Sequence, residues 1–264
     1  MLYPGGADCP ATFIPMEAKV EPVLLAEGIS RKFGSITVSD NLSFSVGRSE
    51  CLGIIGPNGA GKTSVFNILA GVIPPQSGRI LLEGADITQR SQSERTRLGI
   101  GRTYQVPQPF GLLTAYENVL TAATFGGGKS GREAGDFAFD TLKRCGLAAR
   151  FDLPAGSLPL LDRKRLELAR AMALQPKVLL LDEIAGGLTE AEVGHLIDLI
   201  LSIKTGLAIV WIEHVTHALS AVADRILAIN AGRKIAEGAP AAVMADAAVQ
   251  EIYMGAILDV PSEG

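Results

Sequence analysis

The eight residues Gly56-Pro57-Asn58-Gly59-Ala60-Gly61-Lys62-Thr63 fit the pattern G-x-x-x-x-G-K-[ST]. An apolar run, Cys51–Ile55, precedes them, and a helical pattern, Thr63–Leu69, follows. That order suits a phosphate cradle. Glycines let backbone N–H groups converge on phosphate oxygens where a Cβ would obstruct the approach. The helix opening near Lys62 aims the positive end of its dipole at the same anion. Lys62 has the reach for the β- and γ-phosphates, and the Thr63 hydroxyl can ligate Mg²⁺. Gly56 through Ser64 are therefore expected to hold a nucleoside triphosphate.

A triphosphate site also needs a carboxylate on a neighbouring strand. Val178-Leu179-Leu180-Leu181-Asp182-Glu183 ends in two acids. Asp182 is expected to hold Mg²⁺ through its water shell and Glu183 to polarise the attacking water. A second apolar strand ends in Ile212-Glu213-His214, which puts His214 at another strand terminus, within reach of the γ-phosphate or the water.

The elements that must position these groups read as α/β with a mainly parallel sheet. Val178–Leu181 and Leu207–Ile212 are continuous apolar runs, as in parallel strands buried on both faces. Helical stretches lie beside them at Arg163–Leu174 and Glu190–Lys204. Val23–Ile29, Leu42–Val46 and Arg79–Leu82 read as further strands, and Arg225–Asn230 with Arg233–Ala236 as a hairpin. Residues 105–161, rich in helix formers, read as a helical lobe inserted between core strands. Residues 1–22 read as a flexible extension, with Met16 as an alternative start.

Composition sets outer bounds. The 264 residues are 47% apolar with mean hydropathy +0.28, yet no run approaches the roughly 18 apolar residues of a membrane span. Lys plus Arg total 24 against 28 Asp plus Glu, a formal charge of −4, which lacks the basic footprint of a nucleic-acid binder. Cys9, Cys51 and Cys145 form no CxxC pair, so neither a disulfide framework nor a zinc site is indicated.

The order of these motifs resembles the ATP-binding subunits of ABC transporters, over about residues 23–255. The resemblance implies a P-loop NTPase (RecA-like) core, an antiparallel β subdomain and an inserted helical subdomain. It implies that Phe33 stacks on adenine, that Gln105 touches Mg²⁺ or water and couples the nucleotide to the membrane partner, and that His214 is a switch histidine. ATP and Mg²⁺ follow as cofactors. The implied partners are a second ATP-binding subunit, transmembrane permease subunits and, indirectly, a solute-binding protein, with no nucleic acid. The implied location is peripheral, on the cytoplasmic face of the inner membrane. Ser64-Val65-Phe66-Asn67, Pro109-Phe110, Tyr116-Glu117-Asn118-Val119, Ile212-Glu213-His214 and Ile252-Tyr253-Met254-Gly255 look more specifically like the branched-chain amino-acid uptake group.

One motif and two single positions depart from the family pattern. Where Leu-Ser-Gly-Gly-Gln is expected, the chain reads Leu158-Pro159-Leu160-Leu161-Asp162. Pro159 has neither hydroxyl nor N–H to donate. Asp162 carries charge toward an anionic ligand, or else N-caps the Arg163 helix. The run Arg163–Arg165 reads as a solvated face that partly offsets that charge. Ile184 replaces a proline, and Thr189 replaces an aspartate or asparagine in the dimer-crossing loop. Two readings besides an importer motor stay open at this point: a regulatory, weakly hydrolysing half of a heterodimeric pair, and a non-transport ATPase acting on DNA or ribosomes.

Overall fold

The computed structural model describes residues 21–258, with side chains through Ile252. Cys9, the alternative start at Met16 and all but the end of the expected extension lie outside these residues.

The chain opens with a long antiparallel hairpin, β1 (Leu24–Phe33) and β2 (Ile36–Val46), longer at its tip than the apolar alternation suggested. Then come β3 (Cys51–Ile55) and α1 (Lys62–Leu69) on either side of the glycine-rich loop. β4 (Ser77–Leu82) and β5 (Ala85–Asp86) complete an antiparallel sheet ordered β2-β1-β4-β5. Next are α2 (Gln92–Leu98) and β6 (Ile100–Arg102). Between β6 and the next strand the chain is helical: α3 (Ala115–Phe125), α4 (Gly131–Arg144) and α5 (Leu160–Met172), with single 3₁₀ turns between α4 and α5.

After β7 (Val178–Asp182) follow α6 (Glu190–Ile203), β8 (Ala208–Ile212), α7 (Thr216–Val222), β9 (Arg225–Asn230), β10 (Arg233–Gly238), α8 (Pro240–Met244) and α9 (Ala247–Leu258). The second sheet is ordered β10-β9-β3-β8-β7-β6. Every neighbouring pair in it is parallel except the β9–β10 hairpin.

Burial on both faces explains the unbroken apolar runs. In β7, Leu179 and Leu181 enter one core with α3 to α7, while Val178 and Leu180 enter the other with α1 and the antiparallel sheet. β8 divides in the same way: Ile209 and Trp211 face one side, Val210 and Ile212 the other. Helix α1 thus lies between the two sheets, with Val65, Phe66, Ile68 and Leu69 buried.

The far end of α1 is held by Arg95 of α2, which has no solvent exposure. Its guanidinium donates to the carbonyls of Ile68 (2.7 Å), Leu69 (2.8 Å), Thr88 (2.8 Å) and Arg90 (3.0 Å). Ile68 and Leu69 end the helix, where carbonyls lack intrahelical partners, so one side chain caps α1 and fastens it to the β5–α2 turn. Burial pulls the Arg95 pKa down to about 10, which leaves it charged at neutral pH. Arg95→Met strands several buried carbonyls at ~1–3 kcal/mol each. It is expected to lower unfolding free energy by more than about 3 kcal/mol, read by urea denaturation.

Candidate functional site

The glycine-rich loop is closed in by neighbouring backbone. A Cβ at Gly56 would run into the Ile229 carbonyl oxygen, and one at Gly61 into that of Val38. Gly61 is also the N-cap of α1 with φ 103°, a left-handed conformation that disfavours any side chain. Lys62 is buried, and its Nζ donates to Gly56 O (2.6 Å) and Pro57 O (3.1 Å). Burial pushes the Lys62 pKa below the usual lysine range, while the charges of Glu183 and Asp182 pull it back up. Thr63 is exposed on the first helical turn, with Ser64 beside it. A cavity of about 300 Å³ is lined by Asn58 through Ser64, by Ile36 and Val38 of β2, and by Glu183.

Across the sheet the strand ends present their polar groups at one level. Asp182 closes β7, 5% exposed, with its Oδ2 accepting from an Arg102 guanidinium N–H at 2.9 Å. Burial raises the Asp182 pKa and the Arg102 hydrogen bond and charge lower it, so Arg102 favours the carboxylate. A second Arg102 N–H donates to Asn67 Oδ1 (2.7 Å), and the Arg102 guanidinium lies 5.1 Å from the Tyr104 ring centroid.

Glu183 sits at the centre. Its Oε2 accepts from Gln105 Nε2 at 2.5 Å, and its Oε1 lies 2.7 Å from His214 Nε2. Three separate strand ends thereby converge on one carboxylate. The Glu183 backbone has φ 46°, a strained conformation for a residue with a side chain.

The structure joins the expected residues into two linked groups. Asn58–Ser64 and Glu183 share the cavity, Gly56 and Pro57 join it through Lys62, Gln105 and His214 bond Glu183, and Asp182 adjoins it. Phe33 stands apart, at the tip of the β1–β2 hairpin, 42% exposed, with the Arg31 guanidinium 4.8 Å from its ring centroid. Ile36 and Val38, which carry no motif in the sequence, line the cavity instead.

Two expectations need correction at the start of α5. Asp162 is not its N-cap: the helix begins at Leu160 with Pro159 capping, and Asp162 lies in the first turn. There it is buried and paired with Arg150 and Arg165. Nor is Arg163–Arg165 simply a solvated face. Lys164 is 4% exposed, and its Nζ points to the Glu183 carbonyl oxygen at 3.4 Å. Thr189 has a local reason: it N-caps α6, its hydroxyl accepting from Glu192 N while the Glu192 carboxylate accepts from Thr189 N. Arg102 and Glu213 belong to the site although sequence reasoning gave them no part in it. Each has a partner distant in sequence, Asp182 for Arg102 and Ala185 for Glu213, which no local pattern announces.

Known proteins are similar to this chain in sequence and in fold. A family model described as ABC transporter matches residues 39–186, and one described as branched-chain amino acid ATP-binding cassette transporter matches residues 233–257. The high-affinity branched-chain amino acid transport ATP-binding protein LivG of Escherichia coli K12 is 34% identical, covering 89% of this chain and 98% of its own. The corresponding BraF of Pseudomonas aeruginosa is 33% identical with the same coverage. A solved ATP-binding cassette of an ABC transporter in its ADP conformation superposes with TM-score 0.81 at 30% identity, over 89% of this chain and 99% of that one. These relatives favour a hydrolysing transport subunit over a regulatory half or a nucleic-acid ATPase. The chain belongs to the ABC-transporter family, as an ATP-hydrolysing cassette of the kind that works as a dimer with transmembrane permease subunits.

Proposed function

We propose that this chain is the ATPase subunit of an importer of branched-chain or other amino acids. It acts peripherally at the cytoplasmic face of the inner membrane, in a system with a solute-binding protein. The cargo reading rests on the C-terminal match and on the names of LivG and BraF. The hydrolytic reading rests on one observation: Glu183 is held between Gln105 and His214 at the mouth of the glycine-loop cavity.

In this reading ATP binds with its phosphates on the N–H groups of Gly56–Ser64, and Lys62 meets the β- and γ-phosphates. Phe33 stacks on adenine when the hairpin tip closes on the base. Water attacks the γ-phosphorus, Glu183 takes its proton, and the P–O bond to ADP breaks with the electron pair going to the β-phosphate oxygen. Gln105 and His214 hold the Glu183 carboxylate through one oxygen each, which restricts its rotation. The donor set fits Mg²⁺, since hydroxyl and carboxylate oxygens suit a hard cation. Thr63, Asp182 and the Gln105 amide oxygen would hold it, and Arg102 occupies only one oxygen of Asp182. Bound Mg²⁺ supplies neutralisation of phosphate charge.

The permease contact is assigned to the loop before α3, where Val106 and Leu112 are 67% and 98% exposed. Large apolar side chains so exposed are costly to leave in water and mark a docking surface.

Glu183→Gln is expected to lower ATPase kcat about 10²- to 10⁴-fold, the usual contribution of a general base, with ATP affinity retained in equilibrium binding. Unchanged kcat would remove Glu183 from its role. Chelation with EDTA should abolish turnover, and added Mg²⁺ should restore it. Paired Val106→Asp and Leu112→Asp substitutions should weaken co-purification with the permease by about tenfold or more, the scale of losing an interface hot spot.

A further inference from the structure

Beneath the carboxylate of Glu183 lies a second buried acid that the hydrolytic reading does not use. Glu213 follows the last residue of β8 and is 2% exposed. No cation nitrogen lies within salt-bridge range of it among the described residues. Its partners are backbone amides from two different loops. Oε2 accepts from Ala185 N at 2.9 Å, in the turn that follows Glu183. Oε1 accepts from His214 N at 2.9 Å and Val215 N at 3.4 Å, in the loop that carries His214.

The same turn is held at two more points. Glu183 N donates to Ile212 O at 2.9 Å, and Glu183 O faces Lys164 Nζ at 3.4 Å. Burial lowers the Lys164 pKa, and the charges of Glu213 and Glu183 oppose that shift. The charge of Glu213 therefore favours the charged form of Lys164 across the turn. A backbone in the left-handed region persists only where its surroundings over-determine it, and Glu183 has these anchors on both sides.

We propose that Glu213 is a positioning residue for ATP hydrolysis: its single carboxylate ties the Glu183 loop to the His214 loop and so sets the 2.7 Å contact between their side chains, with Lys164 of α5 bracing the same turn. The charge-assisted form matters because a carboxylate offers acceptors at both ends. A glutamine in its place accepts at one end and presents N–H groups to N–H groups at the other. An aspartate keeps the charge but is one methylene too short to span both loops. The inference rests on Glu183 as the proton acceptor.

The test uses the assembled transporter in vesicles. Glu213→Gln and Glu213→Asp are expected to lower kcat about 10- to 100-fold, the scale of a misplacement near 1 Å. KM for ATP should stay within about threefold, since the effect falls on the chemical step. Lys164→Met should lower kcat in the same way and Lys164→Arg should restore most of it, which keeps the inference testable even where the Glu213 variants fail to fold. Adding Glu213→Gln to Glu183→Gln should cost nothing further, because residues acting through one group are non-additive. The inference is overturned if kcat stays within about threefold in the single variants, or if kcat and ATP affinity fall together. It is also overturned if the double variant loses the full product of the two effects. Retention of kcat in Glu183→Gln would instead defeat the reading on which the inference rests, so the two failures are distinguishable.

Discussion

Everything at the site depends on parallel strands buried on both faces. Such strands admit no polar side chain along their length, so the chemistry is pushed to their ends. Register then decides which ends meet. Ile54 of β3 pairs with Ile212 of β8, and Asp182 of β7 pairs with the same Ile212. One residue beyond that level stand Ile55, Glu183 and Glu213. A shift of β7 by one residue would turn Leu179 and Leu181 into the other core and carry Glu183 away from His214. Apolar packing and catalytic geometry are set by the same register, which is why Leu179 and Trp211 matter to chemistry they never touch.

The phosphate loop adds a demand on the far side of β3. Only glycine fits at Gly56 and Gly61, because β9 and β2 press the Ile229 and Val38 carbonyls against them. Its helix must stay in line between two sheets. α1 has only eight residues, too short to be stable by itself, and Arg95 answers for the end remote from the phosphates. The loop's anion-binding end and the arginine's cation at the other end are complementary. Positive charge near a helix C-terminus and negative charge near its N-terminus both suit the macrodipole.

How much of this was legible in the sequence follows from how local each device is. Gly56–Thr63 lies within eight contiguous residues, so spacing alone exposed it. Asp182 and Glu183 were legible because an apolar run stopped at two acids. The parallel sheet was legible for the same reason, except β6, whose three residues Ile100–Arg102 carry no period. Arg95, Arg102, Lys164 and Glu213 were not legible as a group. Arg95 is buried and Arg102 half-buried only because partners 5 to 80 residues away close over them, and a charge in a sequence reads first as surface. Phe33 shows the opposite limit: its expected role came from position in a family pattern, while the hairpin here leaves it against Arg31 rather than over the cavity.

The start of α5 shows why a departure from pattern is not by itself a loss of function. Leu158-Pro159-Leu160-Leu161-Asp162 lacks the serine and glycines, and its aspartate taken alone is hostile to phosphate. In the fold, Pro159 occupies the cap, where its missing N–H belongs to no helical hydrogen bond. The N–H groups of Leu160, Leu161 and Asp162 remain the free donors of a helix thirteen residues long. Asp162 is claimed by Arg150 and Arg165, so its charge is cancelled before it reaches the surface. What the motif gives up is a hydroxyl and close backbone approach, while the dipole and amide donors persist. Lys164, two residues on, then links that same helix start to the Glu183 backbone. The start of α5 and the backbone that carries the Glu183 carboxylate are therefore in direct contact within one subunit.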